Sequence, residues 1–303
     1  QEIRTIWLSL MFDVASQSEN TTGNGQGKGR VLGRLDIRFC NQKHRTGLAY
    51  LYQNQPLRVL FPTDPATENL AVWINMAGGI VGGDQHDVNL ECGKDAVAMV
   101  TGQAAEKVYR SCGAVAKLTQ TVTVAPGSWL ELLPQGTILF DGCRLHRVNQ
   151  FNVSPGAQFL AGEIITFGRV AMMETFLHGL LRDEWRIYRD GKIQWADFLH
   201  IDDDMKPIFE TSARLNNAKS IGIFLYAADD AFDRIDVARQ ILSEQETGSN
   251  EIFFGATAWK SLLLVRWLGR DPAQLRKQFG TFWAEFRSIV GNQKAALPSL
   301  WNM

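Results

Sequence analysis

Short alternating runs of apolar and polar residues, separated by turn residues, fill the sequence from residue 30 to residue 201 and constrain the fold more than any other feature. They are not interrupted by a long amphipathic helix. The runs lie at 30–39, 57–61, 71–74, 88–91, 96–101, 117–124, 129–132, 137–140, 147–153, 158–167, 184–189 and 192–195. Strands that recur every ~8–12 residues are typical of an all-β sandwich, a barrel or a helical stack of sheets. The pattern alone does not choose among these three.

Two of the turns share one sequence device. The segments VAPGSWLELLP and VSPGAQFLAGE each end a run in Pro-Gly, at Pro126-Gly127 and Pro155-Gly156, before the next run begins. Proline presets the φ angle that a turn needs, and glycine accepts a positive φ. We interpret both segments as the same β-hairpin used twice.

The last third of the chain has a different pattern. Residues 220–227 are typical of a buried strand, 229–243 of an amphipathic helix, and 251–255 and 258–267 of two more strands. Asp271-Pro272 then supplies an N-cap and a first-turn proline for a second helix with a wide apolar face. The sequence therefore predicts a C-terminal β-α-β-β-α element that contains the two main helices.

The same patterns suggest how the chain is divided. Residues 1–29 include a polar, glycine-rich stretch with little to bury, so we expect a flexible N-terminal segment. Residues 30–210 form a β body, and residues 211–303 form an α/β element packed on that body. We expect the last two parts to make one continuous domain.

Charge and hydropathy exclude several partners. The chain has 31 basic and 32 acidic residues and a net charge of −1, so it has no general electrostatic attraction for nucleic acid or for an anionic membrane. Its apolar windows are far shorter than the roughly 20 residues that cross a bilayer. The N-terminus lacks the basic region and cleavage site of a secretory signal. We expect a soluble, cytoplasmic protein.

The sequence shows no preformed metal or disulfide framework. The four cysteines are dispersed without a C-x-x-C pair, and the five histidines form neither H-x-x-x-H nor H-E-x-x-H. Such spacing matches neither a zinc site nor a disulfide scaffold. We expect free, mostly buried thiols and no permanently bound cofactor.

The segment AGGIVGGD, residues 77–84, packs four glycines and one carboxylate into eight residues. Its glycines Gly78 and Gly83 have the separation found in a P-loop, but Asp84 stands where that loop has lysine. Because a carboxylate repels phosphate, we exclude nucleotide binding at this loop. The glycines indicate a backbone that needs positive φ or a close approach to another group.

Two further segments carry clustered polar side chains. TGQAAEKVYRS contains Glu106, Tyr109 and Arg110. The interpretation without a functional role is a turn or irregular segment. GEIITFGRVAMMETF contains Glu163 beside two isoleucines, and Arg169 is one candidate for the partner that a partly buried carboxylate needs.

No nucleophile accompanies these acids in the sequence, and the nucleophile elbow G-x-S-x-G is absent. A pair of carboxylates could serve glycoside hydrolysis, so a β-fold hydrolase stays an alternative.

Five segments taken together carry a resemblance. AGGIVGGD, QAAEKVYRS, LPQGTILFDG, GEIITFGRVAMMETF and LPSLW stand in the order found in the urease accessory protein family UreD, also called UreH, over about residues 30–303. The motif residues that we assign a structural role are Gly78, Gly79, Gly82, Gly83, Tyr109, Arg110 and Arg169. The sequence departs from the family pattern at Met76-Ala77 (usually Pro-Pro), Gly102 (threonine), Gly136 (acidic), Met173 (glycine) and Ser299 (arginine).

The resemblance implies a mainly β fold built as a helical stack of sheets, and a non-enzymatic role in urease maturation. Proteins of this family bind the urease apoprotein and the partner UreF, and UreF recruits the GTPase UreG, which brings nickel. The family's internal channel is thought to pass nickel to urease. By motif position, its acidic residues here would be Asp84, Glu163 and Asp197. We add Glu106, which stands where the family often has a smaller residue.

Dispersed carboxylates suit the transient passage of Ni²⁺, because a nitrogen or sulfur cage would trap the ion. Such a path should be filled with water, since carboxylates are costly to bury dry. The alternative is a pure assembly scaffold without metal transfer.

Overall fold

The computed structural model describes residues 30–202, 204–245 and 251–302. The predicted flexible segment 1–29 lies outside them. Seventeen strands run through the described residues: β1 Leu32–Gln42, β2 Arg45–Asn54, β3 Leu57–Leu60, β4 Leu70–Asn75, β5 Gln85–Cys92, β6 Val97–Gly102, β7 Glu106–Val108, β8 Ala116–Val124, β9 Trp129–Leu133, β10 Thr137–Leu139, β11 Arg144–Val153, β12 Gln158–Phe167, β13 Leu180–Arg189, β14 Lys192–Asp202, β15 Ser220–Ala227, β16 Ile252–Trp259 and β17 Leu262–Gly269. The helices there are α1 Lys206–Glu210, α2 Ile235–Glu244 and α3 Pro272–Gly291, with short 3₁₀ turns.

The strands form two sheets. The first has seven strands in the order β14-β13-β11-β8-β5-β1-β2, and the second has ten, with β16-β17-β15-β12-β9-β6-β4-β3 as its main path and the short β7 and β10 beside β12. Strands β1, β5, β8, β11 and β13 are parallel in the first sheet, as are β4, β6, β9 and β12 in the second. Antiparallel strands lie at the edges of both sheets.

The parallel strands are made by a chain that coils. From β4 to β13 it passes back and forth between the sheets, so each coil adds one long strand to each of them, and two coils also add the short β7 or β10 to the second sheet. The architecture is therefore a helical stack of sheets, which confirms the predicted fold class and decides among the three architectures that the spacing left open. The C-terminal β-α-β-β-α order, β15-α2-β16-β17-α3, is confirmed as well.

The interpretation of the two Pro-Gly turns as hairpins is wrong. Residues 125–128 join β8 of the first sheet to β9 of the second, and residues 154–157 join β11 to β12 in the same way. These corners stack on one another, because the amide of Gly127 donates to the carbonyl of Gly156 at 3.0 Å. A tight turn fixes the local reversal of the chain, but the pairing of the following strand decides between a hairpin and a corner.

The core has two main layers. Between the sheets, inward side chains of alternating strands meet, and the ring of Phe151 packs against those of Phe159 and Trp185 at 5.1 and 5.3 Å. Helices α2 and α3 cover the other face of the second sheet, where Phe224 contacts Phe282. Strands buried on both faces have continuous apolar sequences rather than alternating ones.

Several boundaries and elements differ from the sequence predictions. The last two strands separate at the turn formed by Lys260, which has φ 53°, and not at residues 256–257. Helix α2 starts at Ile235, after a 3₁₀ turn at Ala231–Arg234. Strand β2 is an additional edge strand, and β7 lies in a segment interpreted as irregular. None of the helices in the described parts of the chain is long and apolar enough to cross a membrane.

Candidate functional site: a motif ridge above a polar interior

The sequence motifs gather at one corner of the stack. Residues 76–84, 103–115, 134–143 and 168–179 each follow a strand of the second sheet and lead into one of the first sheet. Because successive coils are in parallel register, these connections lie side by side, and we call them together the motif ridge. Ile80 pairs with Val108 in this ridge, and β7 pairs with β10.

The motif glycines allow neighbouring coils to touch. A Cβ on Gly79 would lie 2.3 Å from Cε2 of Tyr109, and one on Gly82 would lie 2.1 Å from Oγ of Ser111. Gly78 and Gly83 have φ of +75° and +98°, which favour glycine. The predicted structural role of these four glycines therefore has a physical basis, namely close approach and positive φ.

Aromatic and charged side chains join the remaining motifs of the ridge. Tyr109 donates to the carbonyl of Gly78 at 3.0 Å and packs edge-on against Phe140, with 4.9 Å between the ring centroids. The guanidinium of Arg169 lies 4.5 Å from the Phe140 centroid. Arg110 forms an ion pair with Asp141 at 2.9 Å. The ridge is thus one interlocked unit.

The suggested pairing of Glu163 with Arg169 is wrong. Arg169 pairs with Glu174 at 2.9 Å on the ridge. Glu163 pairs instead with Arg147, which also donates to both carboxylate oxygens of Asp183, at 2.8 and 2.9 Å. All three groups are buried. Arg169 is nearer to Glu163 in the sequence, but Arg147 is nearer in space. Arg147 on β11 and Glu163 on β12 belong to opposite sheets and face each other across the interior.

Two members of the buried triad of Glu163, Arg147 and Asp183, the acids Glu163 and Asp183, line a cavity of about 500 Å³ between the two sheets. Asp197 lines it too and pairs with Arg266 at 2.7 Å. The other lining side chains are mostly apolar and include Ile165, Leu199, Phe198, Phe253 and Trp267.

The structure thus brings Glu163 and Asp197 to one cavity, as two of the predicted site residues. Asp183 also lines this cavity and was missed by the sequence reasoning. Asp183 lies directly before the predicted run 184–189, and it continues the inward alternation of Trp185 and Ile187.

Burial and ion pairing shift the pKa values of Glu163 and Arg147 in the triad. Burial raises the pKa of Glu163, although the neighbouring Arg147 acts to lower it. Burial acts to lower the pKa of Arg147, but the carboxylates of Asp183 and Glu163 outweigh it and raise that pKa above its ordinary value. The guanidinium therefore stays charged and holds the two acids together.

Glu106 lies on the neighbouring coils. Its strand pairs with β10 so that Glu106 is opposite Thr137, whose hydroxyl lies 3.4 Å from a carboxylate oxygen of Glu163. On the other side, Asn75 donates to Glu106 at 3.0 Å and to the carbonyl of Gly79 at 3.1 Å. Asn75, Glu106, Thr137 and Glu163 therefore form a polar row along the interior of the stack, which we call the polar ladder.

Asp84 does not line the cavity. Its two carboxylate oxygens accept hydrogen bonds from the amides of Val31 and Val81, at 3.1 and 3.0 Å. The side chain is buried and closes the glycine loop onto the start of β1. This contact gives Asp84 a structural role, and its predicted role in a nickel path stays a prediction.

The described residues contain no cluster of three or more His, Cys, Asp or Glu side chains placed to hold a single metal ion. Burial raises the pKa of Cys92 and of Cys143 to about 12, so both thiols stay protonated and are poor ligands. The arrangement offers separated carboxylates along an interior, not a cage.

Glu106→Gln is expected to make the protein more stable than the wild type at pH 8, by about 1–2 kcal/mol, and to change little at pH 5. Burial raises the pKa of Glu106 to about 7. The folded wild type therefore keeps a proton that the unfolded chain has lost, and its stability falls as pH rises from the ordinary value of ~4.3 through 7. Glutamine does not titrate, so the variant escapes this loss.

Urea denaturation at pH 5 and pH 8 measures the difference. Glu91→Gln is the control, because its carboxylate is in an exposed pair with Arg38 and lies outside the polar ladder. Equal effects of Glu106→Gln at both pH values would contradict a raised pKa.

These features define a class of protein: a stack of parallel β coils with an interlocked ridge of motifs outside and a polar ladder inside. The chain belongs to the UreD urease accessory protein family, whose profile matches residues 31–302.

Curated relatives agree with this assignment. A urease accessory protein UreD from Magnetococcus marinus is 37% identical over 274 residues, which cover 90% of this chain and 94% of the relative. One from Azorhizobium caulinodans is 36% identical over 274 residues, 90% and 96% of the two chains. One from Rhodopseudomonas palustris (strain CGA009) is 32% identical over 289 residues, 95% and 99%. Their shared name describes accessory proteins and not enzymes, and it implies a role in urease maturation.

Proposed function

We propose that this protein binds the urease apoprotein and UreF, with UreG held through UreF, and helps to pass Ni²⁺ to the urease active site through its interior. The observation that carries the proposal is the convergence of Glu163, Asp183 and Asp197 on one cavity between the sheets, continued by the polar ladder to Glu106. Nickel is cargo here, bound in passing and not kept. The complex works in the cytoplasm.

The chemistry of the interior supports passage better than storage. Carboxylate oxygens hold a divalent ion more weakly than thiolates or imidazoles do, and they lie at separate points along the path. The largely apolar cavity wall offers few competing ligands, so an ion with its water shell would move between acids. A path of this kind releases its ion because each site is incomplete.

A second candidate, a pure assembly scaffold, is favoured by a different observation. Arg147 already neutralises part of the charge on Glu163 and Asp183, and the oxygens of Asp84 are taken by backbone amides. In this alternative the acids are structural and the protein only holds urease in a state ready for the metal. The third alternative, a β-fold hydrolase, predicts no co-purification with urease subunits.

The deciding experiment measures nickel per urease active site after activation with a Glu163→Gln/Asp197→Asn variant. The conduit predicts a several-fold loss of nickel while binding to urease and to UreF is unchanged. Glu91→Gln is the control, because its exposed carboxylate lies outside the cavity. Full nickel loading by the double variant would reject the conduit and favour the scaffold.

A further inference from the structure

The outer side of the motif ridge is unusually apolar. Met173 is 93% exposed, Met172 69%, Leu177 47% and Val81 40%. Met172, Met173 and Leu177 stand together in the connection at 168–179, at one end of the ridge, and Val81 stands in the connection at 76–84, at the other end. Clustered exposed apolar side chains are typical of a surface that another molecule covers.

The exposed charged side chains of the ridge are positive. In the pair of Arg110 and Asp141, the arginine side chain is 72% exposed and the carboxylate 16%. In the pair of Arg169 and Glu174, the values are 43% and 20%. Lys107 is exposed on β7, in the same connection as Arg110. The carboxylates are turned inward to backbone amides or arginine, so the surface presents cations.

The ridge is also held in place before any partner arrives. Tyr109 and Phe140 fix its centre, and Asp141 accepts hydrogen bonds from the amides of Leu177 and His178, at 2.8 and 2.9 Å. A preorganised surface loses little conformational entropy on binding. The exposed methionines keep flexible side chains that can adapt to an apolar partner surface.

We propose that the motif ridge is the docking surface for a protein partner whose contacting face is acidic and carries an apolar patch. This inference rests on the proposed function, which supplies the partners to be tested. The cations of Lys107, Arg110 and Arg169 complement carboxylates, and the methionines need an apolar surface that a phosphate backbone does not offer. The polar ladder runs directly beneath this surface, since Asn75 contacts both Gly79 and Glu106.

The test uses Met172→Glu and Lys107→Glu, singly and together, in the full chain. Binding constants are measured with purified UreF and, separately, with purified urease apoprotein, at low and high salt. We expect the double variant to weaken binding to one of the two at least tenfold. The effect of Lys107→Glu should shrink as salt rises, whereas that of Met172→Glu should not.

Matched controls separate a docking effect from a general one. Ile289→Glu changes an apolar side chain on α3 that is 58% exposed, and Lys192→Glu changes an exposed lysine at the start of β14. Both should bind within twofold of the wild type. Met172→Leu should also keep its affinity, because it preserves the apolar contact.

Retained affinity of the ridge variants for both partners would overturn the docking surface. A loss shared equally by the two controls would overturn it too, since the ridge would then have no special role. Thermal melting confirms that each variant is folded. If the wild type itself binds neither protein, the proposed function fails. If the wild type binds and the ridge variants bind equally well, that function stands and the ridge assignment falls.

Discussion

Replacing Arg287 with methionine is expected to lower the free energy of unfolding by about 3–5 kcal/mol. The side chain is fully buried on α3 and donates to both carboxylate oxygens of Glu131 on β9, at distances of 2.8 to 3.0 Å. Glu131 also accepts hydrogen bonds from the indoles of Trp129 and Trp283. Methionine would fill the space but leave a buried carboxylate without its cation.

A second loss adds to the first. Arg287 also donates to the backbone carbonyls of Ala66, Lys294 and Ala296, at 3.3, 2.6 and 3.1 Å. These bonds join the C-terminal segment and the loop after β3 to α3. A buried carbonyl left without a donor costs about 1–3 kcal/mol, so the variant should loosen the C-terminus as well.

Urea denaturation followed by tryptophan fluorescence measures the effect. The control is Arg266→Met, because Arg266 also pairs with a carboxylate, that of Asp197, through one contact at 2.7 Å, but is half-exposed. An exposed pair contributes about 0–1 kcal/mol. A loss of less than 1 kcal/mol for Arg287→Met would contradict the structural role of the buried pair.

Arg147→Met is expected to destabilise the protein by about 3–5 kcal/mol at pH 8. It removes the cation that Glu163 and Asp183 share in the interior. Without it, burial and the repulsion from Asp183 raise the pKa of Glu163 further. Folded molecules then bind a proton that unfolded ones release, so the destabilisation should be smaller at pH 5 than at pH 8.

The triple variant Arg147→Met/Glu163→Gln/Asp183→Asn is the control for this effect. It removes all three charges while keeping side chains of similar size, and most of the stability should return. Urea denaturation at both pH values compares the two variants. Equal losses for the single and triple variants would show that packing, and not the unpaired acids, is responsible.

The ridge and the ladder lie on two sides of the same connections. In β7, Glu106 and Val108 point inward, whereas Lys107 between them is exposed. Because side chains alternate between the two faces of a strand, β7 carries one residue of the proposed nickel path, Glu106, and one residue of the proposed docking surface, Lys107. A partner bound on the ridge would lie one strand away from the interior acids.

Much of the fold was predictable from the sequence, because each strand carries its own signal. Alternation in runs such as 147–153 shows which side chains are inward. Asp271-Pro272 marks the start of α3, where the Asp271 carboxylate caps the amides of Ala273 and Gln274. The ordered motifs indicated the family, which the comparisons confirm. The family resemblance, and not the local pattern, pointed to Glu163 and Asp197, which both line the cavity.

The tertiary structure alone decided which strands pair and which charges meet. Pro126-Gly127 has the sequence of a hairpin turn but forms a corner, because β9 finds its partners in the other sheet. Glu163 pairs with Arg147, and Asp183 joins them from β13. The physical reason is that alternation along a strand shows only which side chains point inward. Which neighbours those side chains contact in the interior depends on how the coils stack.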